Sequence, residues 1–228
     1  MTKSRLWRSA ARVLALAILL LSTGLRFYRI EYQSYWHDEG NSLHLAGESV
    51  SVILQSAAAD IHPPAYYLAL KIWRAGLGDT ELALRSLSAL AGVVLVALLY
   101  RLGRFFFNAP AALVAAALAA VNPFLVYYAQ EARMYALAAT LGAASFGLFA
   151  AWLRRPSLSR SAWLVGIAYV AISTWGLYTH YAFGFIIIAQ NTVVAAYLVG
   201  ALWKSHRTGR RTASASTLSN GTPTSEIS

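Results

Sequence analysis

The sequence predicts an all-α polytopic membrane protein with about six transmembrane helices and interfacial helices in its first outer loop. Three observations carry this. The chain is 58% hydrophobic and only 12% charged, about half the charge of an ordinary soluble domain. Its apolar residues gather into six runs, each near the roughly 20 residues a helix needs to cross hydrocarbon. Lys and Arg flank those runs on alternate sides, which orients every span without conflict.

The first run, Ala10 to Leu25, follows Lys3, Arg5 and Arg8, so the amino terminus is expected in the cytoplasm. No A-x-A-like cleavage site precedes the next segment, so the run reads as an uncleaved anchor rather than a signal peptide. Residues 26–83 form an outer loop too long for a plain connector. Within it, Ser49 to Ala59 and Ala65 to Trp73 read as helices lying in the interface plane. The rigid step His62-Pro63-Pro64 separates them. The second run, Leu84 to Tyr100, ends at Arg101 and Arg104. The third, Pro110 to Tyr128, opens on a proline suited to a first helical turn and carries Asn122-Pro123, which predicts a kink near its outer end. The fourth, Met134 to Leu153, stops at Arg154, Arg155 and Pro156. Trp163 to Tyr178 is the fifth, and Tyr181 to Trp203 the sixth, followed by Lys204, Arg207, Arg210 and Arg211. Residues 1–203 thus make one transmembrane domain, and the Ser- and Thr-rich residues 204–228 are expected to be a disordered cytoplasmic tail. Compact loops and a short tail suggest the plasma membrane of a bacterium.

The net charge of +10 sits at run ends and termini, which fits headgroup attraction rather than nucleic-acid binding. Cysteine is absent, so disulfides, Cys-based zinc sites and thiol nucleophiles are excluded. No P-loop, dinucleotide fingerprint, HExxH or GxSxG is present.

The acidic residues are segregated. Seven of the nine lie between Phe27 and Leu82, and an eighth, Glu131, falls in a turn that the same topology puts on the same face. Four clusters meet there. Trp36-His37-Asp38-Glu39 offers a carboxylate that can act as general base toward a hydroxyl, or simply a helix start. Adjacent carboxylates repel, so at least one needs a cation, a metal or a proton. Asp60-Ile61-His62-Pro63-Pro64-Ala65-Tyr66-Tyr67 places a histidine on a fixed backbone, or merely punctuates two helices. Gln130-Glu131-Ala132-Arg133-Met134-Tyr135 holds charges so close to hydrocarbon that they should be paired or functional. Arg133 there can present a forked donor to a phosphate, or pair with Glu131. Tyr178-Thr179-His180-Tyr181 gives a second histidine, which also reads as interfacial packing. Arg26, Arg29 and Arg85 lie near the same boundary, where they can neutralise a lipid phosphate or snorkel to headgroups.

Taken together, the clusters resemble glycosyltransferase family 39, the protein O-mannosyltransferase and aminoarabinose-transferase type with the GT-C membrane fold. The resemblance runs from about Leu25 to Tyr181. Its motifs are Trp36-His37-Asp38-Glu39-Gly40-Asn41-Ser42, His62-Pro63-Pro64-Ala65-Tyr66-Tyr67, Glu81-Leu82-Ala83-Leu84-Arg85, Gln130-Glu131-Ala132-Arg133-Met134-Tyr135 and Thr179-His180-Tyr181. It implies a polyprenyl-phosphate sugar donor and inverting transfer to a hydroxyl of a protein, glycolipid or polysaccharide acceptor at the outer membrane face. It also implies Asp38 as the catalytic carboxylate with Glu39 in support. His62, Glu131, Arg133, His180, Tyr181 and Arg85 would bind substrate, and Asp38 with Glu131 would be the place for a divalent metal cation. Family members carry more spans, so the chain reads as an amino-terminal catalytic part. The alternatives are a truncated, non-catalytic binder of lipid-linked sugar and a small transporter. The transporter is disfavoured, because no ionisable residue sits deep in the runs.

Overall fold

The computed structural model describes residues 3–155 and 159–219, and all regular structure among them is helical. The helices are α1 (Lys3–Phe27), α2 (His37–Gly47), α3 (Val50–Ala58), α4 (Ala65–Leu77), α5 (Glu81–Phe106), α6 (Ala109–Val121), α7 (Pro123–Tyr127), α8 (Tyr135–Leu153), α9 (Arg160–Thr179) and α10 (Phe183–Ser219). Trp7–Phe27, α5, α8, α9 and Phe183–Gly200 are long and apolar enough to cross a bilayer. This is an integral membrane protein. The chain divides into two units, 1–184 and 185–228, and the helical part of the second is the continuation of α10.

Local chemistry sets the helix starts. Ser49, Thr80, Asn108, Asn122 and Ser159 each accept a hydrogen bond from the backbone N–H three residues on, at the heads of α3, α5, α6, α7 and α9. These are the residue types whose short oxygens satisfy the orphan donors of a first turn.

Two expectations are corrected. The third span is not one helix: Asn122 turns extended, at ψ 119°, and ends α6. Pro123 then starts α7. The 13 residues of α6 rise about 20 Å, short of the roughly 30 Å hydrocarbon thickness. The expected tail is also different, for α10 runs on through Ser219. The physical reason is that elongating an existing helix is far easier than starting one, and no proline occurs between 183 and 219. Residues 220–228, the rest of that expected tail, lie outside the described residues.

α5 is the centre of the first unit. Of its apolar stretch 56% is buried, against 17% for α1. It packs on α1, α4, α6 and α8. Val96 meets Ala116, Ala119 and Ala120 of α6 in a close-set cluster that Ile18 and Leu19 of α1 cover. Hydroxyls bind the helices where lipid offers no alternative partner. Thr140 donates to the Ala91 carbonyl at 2.7 Å, joining α8 to α5. Ser145 and Ser173 join α8 to α9 at 2.9 Å.

Arg26 resolves the broken span. Pro123 has no N–H to offer Ala119, so the last carbonyls of α6 need another donor. Arg26, fully buried at the end of α1, supplies it: Nη2 donates to Ala119 O and Nη1 to Ala120 O, each at 3.2 Å. It neither snorkels nor faces lipid.

α5 and α6 approach closely at Gly103, where an added Cβ would lie 2.6 Å from the Ala112 Cα. Backbone cannot yield as a flexible side chain can. Gly103→Ala should therefore cost about 1–3 kcal/mol, read as a lower melting temperature in detergent. An unchanged melt would mean the two helices do not meet there.

Candidate active site

The site begins with the way one helical turn separates two neighbouring carboxylates. Asp38 and Glu39 both lie in the first turn of α2, where the helix dipole favours anions. Successive residues on a helix point about 100° apart, and here the pair splits. Glu39 turns inward and is 1% exposed, whereas the Asp38 side chain is 36% exposed. Each meets its own arginine, which removes the repulsion expected between them.

Glu39 and Arg85 form the inner pair. Arg85 Nε donates to Glu39 Oε1 at 2.9 Å and Nη2 to Oε2 at 2.7 Å. Its Nη1 donates to the Ile30 and Gln33 carbonyls, both at 2.7 Å. Glu39 Oε1 also accepts the Ala132 N–H at 2.7 Å. One ion pair therefore fastens the segment after α1, the start of α2, α5 and the α7–α8 turn. Arg85 is fully occupied by these partners.

Asp38 and Arg133 form the outer pair. Arg133 Nη2 stands 3.5 Å from Asp38 Oδ2 and 3.5 Å from His62 Nε2. Its Nη1 donates to the Asp38 carbonyl at 3.2 Å and to Ser42 Oγ at 3.3 Å. Behind His62, Asp60 Oδ2 lies 3.4 Å from Nδ1. A guanidinium only donates, so His62 Nε2 is an acceptor and its Nδ1 holds the proton toward Asp60. The His180 ring packs edge-on against His62 at 6.4 Å and tilts against Tyr135 at 6.0 Å. Burial, then the His62 imidazole whenever it is protonated and the Arg133 guanidinium, push His180 below its usual value. His180 Nδ1 accepts the Ala182 N–H at 3.1 Å, which leaves Nε2–H as a donor.

Glu131 stands slightly apart, 6% exposed, with Oε2 buried and unpartnered. Burial raises its carboxyl above the ordinary 4.5, the charge of Glu39 raises it further, and the Tyr127 hydroxyl partly offsets both.

The structure thus brings together Asp38, His62, Arg133 and His180, with Glu39 and Arg85 directly behind them. Tyr181 is excluded from the group: it is 60% exposed and makes no hydrogen bond or ring contact with it. Ser42, Asp60 and Tyr135 join the site; they lay inside the sequence clusters but were given no role there. Ser42 lies one helical turn beyond Asp38, a spacing that puts both on one face, and that signal was available. The residues do not fit the divalent cation that the resemblance implies. Among the described residues no three metal-ligating side chains converge, and the nearest charge to Asp38 is itself a cation. A groove of about 840 Å³ between α8 and α9 is lined by Trp152, Trp163 and Ile167 and contains none of these residues.

Glu131 generates a pH prediction. A carboxyl whose folded value is raised contributes full stability below its ordinary 4.5, and that contribution is lost as pH rises through the raised value. The wild-type melting temperature should therefore fall relative to Glu131→Gln as pH rises above the ordinary 4.5. Parallel curves would put this carboxyl in water.

Comparison with known proteins bears on the same residues. No curated protein and no solved structure matches the chain. The family model described as dolichyl-phosphate-mannose-protein mannosyltransferase matches residues 61–215. That is 155 of 228 residues, about two thirds of the chain. The matched stretch contains His62, Arg85, Glu131, Arg133 and His180 and begins after Asp38 and Glu39. Apolar spans, converging charged turns and this match lead to one assignment: the chain belongs to the dolichyl-phosphate-mannose-protein mannosyltransferase family of membrane glycosyltransferases.

Proposed function

We propose that this protein transfers a monosaccharide, with inversion, from a polyprenyl-phosphate-linked donor to an acceptor hydroxyl on the non-cytoplasmic side of the membrane. The observation that carries the reading is the pairing of a half-exposed carboxylate, Asp38, with a buried arginine, Arg133, at one end of the spans. Inverting displacement needs both kinds of group. The acceptor oxygen forms a bond to the anomeric carbon from one face of the sugar, and its proton passes to the Asp38 carboxylate. The carbon–oxygen bond to phosphate breaks on the opposite face, and its electron pair leaves with the lipid phosphate.

Such a base is worth roughly 10²–10⁴ in rate. Preorganised donors at the departing charge often contribute more, and Arg133 with the His180 Nε2–H are the candidates. A phosphate monoester is already a good leaving group, so no nucleotide site is required. Glu39 and Arg85 work from behind as positioning residues. Removing one partner of such a buried pair costs about 3–5 kcal/mol, so Glu39→Ala should act through stability, seen as a lowered melt. The orientation rests on the Lys and Arg bias of the opposite helix ends, which favours the cytoplasm. The acceptor is a hydroxyl of a protein, glycolipid or polysaccharide.

Asp38→Asn tests the reading. Transfer of labelled sugar from a polyprenyl-phosphate donor should drop by roughly 10² or more, with an unchanged melting temperature. Undiminished transfer would remove Asp38 from the chemistry.

A further inference from the structure

The two arginines of the site differ in one edge. A guanidinium presents five N–H groups, and its Nε–Nη2 edge is the fork that grips a carboxylate or phosphate in two parallel bonds. On Arg85 that edge is filled by Glu39, at 2.9 and 2.7 Å. On Arg133 it is nearly empty. Nε is buried with no hydrogen-bond partner, and Nη2 stands 3.5 Å from both Asp38 Oδ2 and His62 Nε2, with the Tyr67 and Tyr135 hydroxyls beside the guanidinium. The Asp38 and His62 contacts both lie beyond the usual range of about 2.7–3.2 Å. The other nitrogen, Nη1, is the anchored one, held by the Asp38 carbonyl and Ser42. The arginine is therefore fixed in place with its recognition edge unsatisfied.

Access explains what covers it. Arg133 is 3% exposed, while the Asp38 side chain is 36% exposed, so the carboxylate lies outermost over a sheltered cation. An unmet buried donor costs free energy, and a tetrahedral anion with two oxygens on Nε and Nη2 would relieve that cost. Neither tyrosine nearby can do so, since the Tyr67 and Tyr135 hydroxyls that adjoin the guanidinium leave Nε unpartnered.

We propose that the phosphodiester of the lipid-linked sugar donor displaces Asp38 from Arg133 Nη2 and takes the Nε–Nη2 edge with its two free oxygens, so that arrival of the donor is what releases the base. Asp38 then has two positions. Without donor it caps Arg133 and is engaged; with donor it swings free toward the acceptor. This deepens the transferase reading and rests on it. It also assigns an order, donor before acceptor. No bond is made or broken in the exchange, which is a change of partner for one cation.

The test is binding, not turnover. Affinity for undecaprenyl monophosphate is measured on the full chain in zwitterionic nanodiscs, with inorganic phosphate in parallel. Asp38→Asn removes the competitor, so the lipid phosphate should bind roughly three- to fivefold tighter, the scale of a half-exposed ion pair. Asp38→Ser should do the same if the first variant folds poorly. Arg133→Gln should bind roughly tenfold weaker or worse, because the charge-assisted fork is lost. Asp60→Asn is the control for general repulsion: it deletes a carboxylate of the same cluster without freeing Arg133 and should not tighten binding. Inorganic phosphate should follow the same ranking with weaker affinity; the reverse preference would mean a free-anion site and overturn the lipid assignment. Unchanged or weaker binding by both Asp38 variants overturns the exchange, as does an equal gain from Asp60→Asn. Failure of the folded wild type to bind lipid phosphate at all sinks the transferase reading itself, a separate result.

Discussion

The contact on which this molecule depends is the buried fork between Glu39 and Arg85. Neither group has water to fall back on, at 1% and 4% side-chain exposure, so each is tolerable only because the other is there. The fork does more than neutralise. Through Ile30 and Gln33 it fixes the path of the segment leaving α1. Through the Ala132 N–H it sets the α7–α8 turn, and with it the backbone that carries Arg133. Pieces of sequence 46 to 93 residues apart are brought to one point by two side chains.

This arrangement also gives two adjacent acids different fates. Asp38 and Glu39 are chemically near-identical, and one helical step divides them between interior and cleft. The inner acid meets an arginine with perfect geometry and becomes structural. The outer acid meets an arginine with poor geometry and remains available. Burial and hydrogen-bond satisfaction, not residue type, decide which carboxylate can take part in chemistry.

The sequence made the spans and the converging turns legible because both rest on strong signals. Apolar length, flanking charge and the clustering of Asp38, His62, Glu131, Arg133 and His180 on one side needed no tertiary information. What failed to show was partner choice. Arg85 and Arg133 look equivalent on paper, as do Glu39 and Asp38, and only the meeting of Glu39 on α2 with Arg85 on α5 tells them apart. The broken third span was half visible, since Asn122-Pro123 marks a kink. That the break would be completed by Arg26, from 93 residues away, was not. Helicity through Ser219 was hidden for another reason: composition measures the ability to bury a core, while a helix already under way needs only residues that do not stop it.

The capping of α6 by Arg26 carries a consequence for biogenesis. When the first hydrophobic segment leaves the ribosome, the carbonyls of Ala119 and Ala120 do not yet exist. The Arg26 guanidinium lacks these partners while nearly a hundred further residues are synthesised. Only afterwards can it withdraw between its neighbours, against Gly92, where a side chain would collide with it at 2.7 Å. A segment synthesised well before its partners is thus among the last to settle.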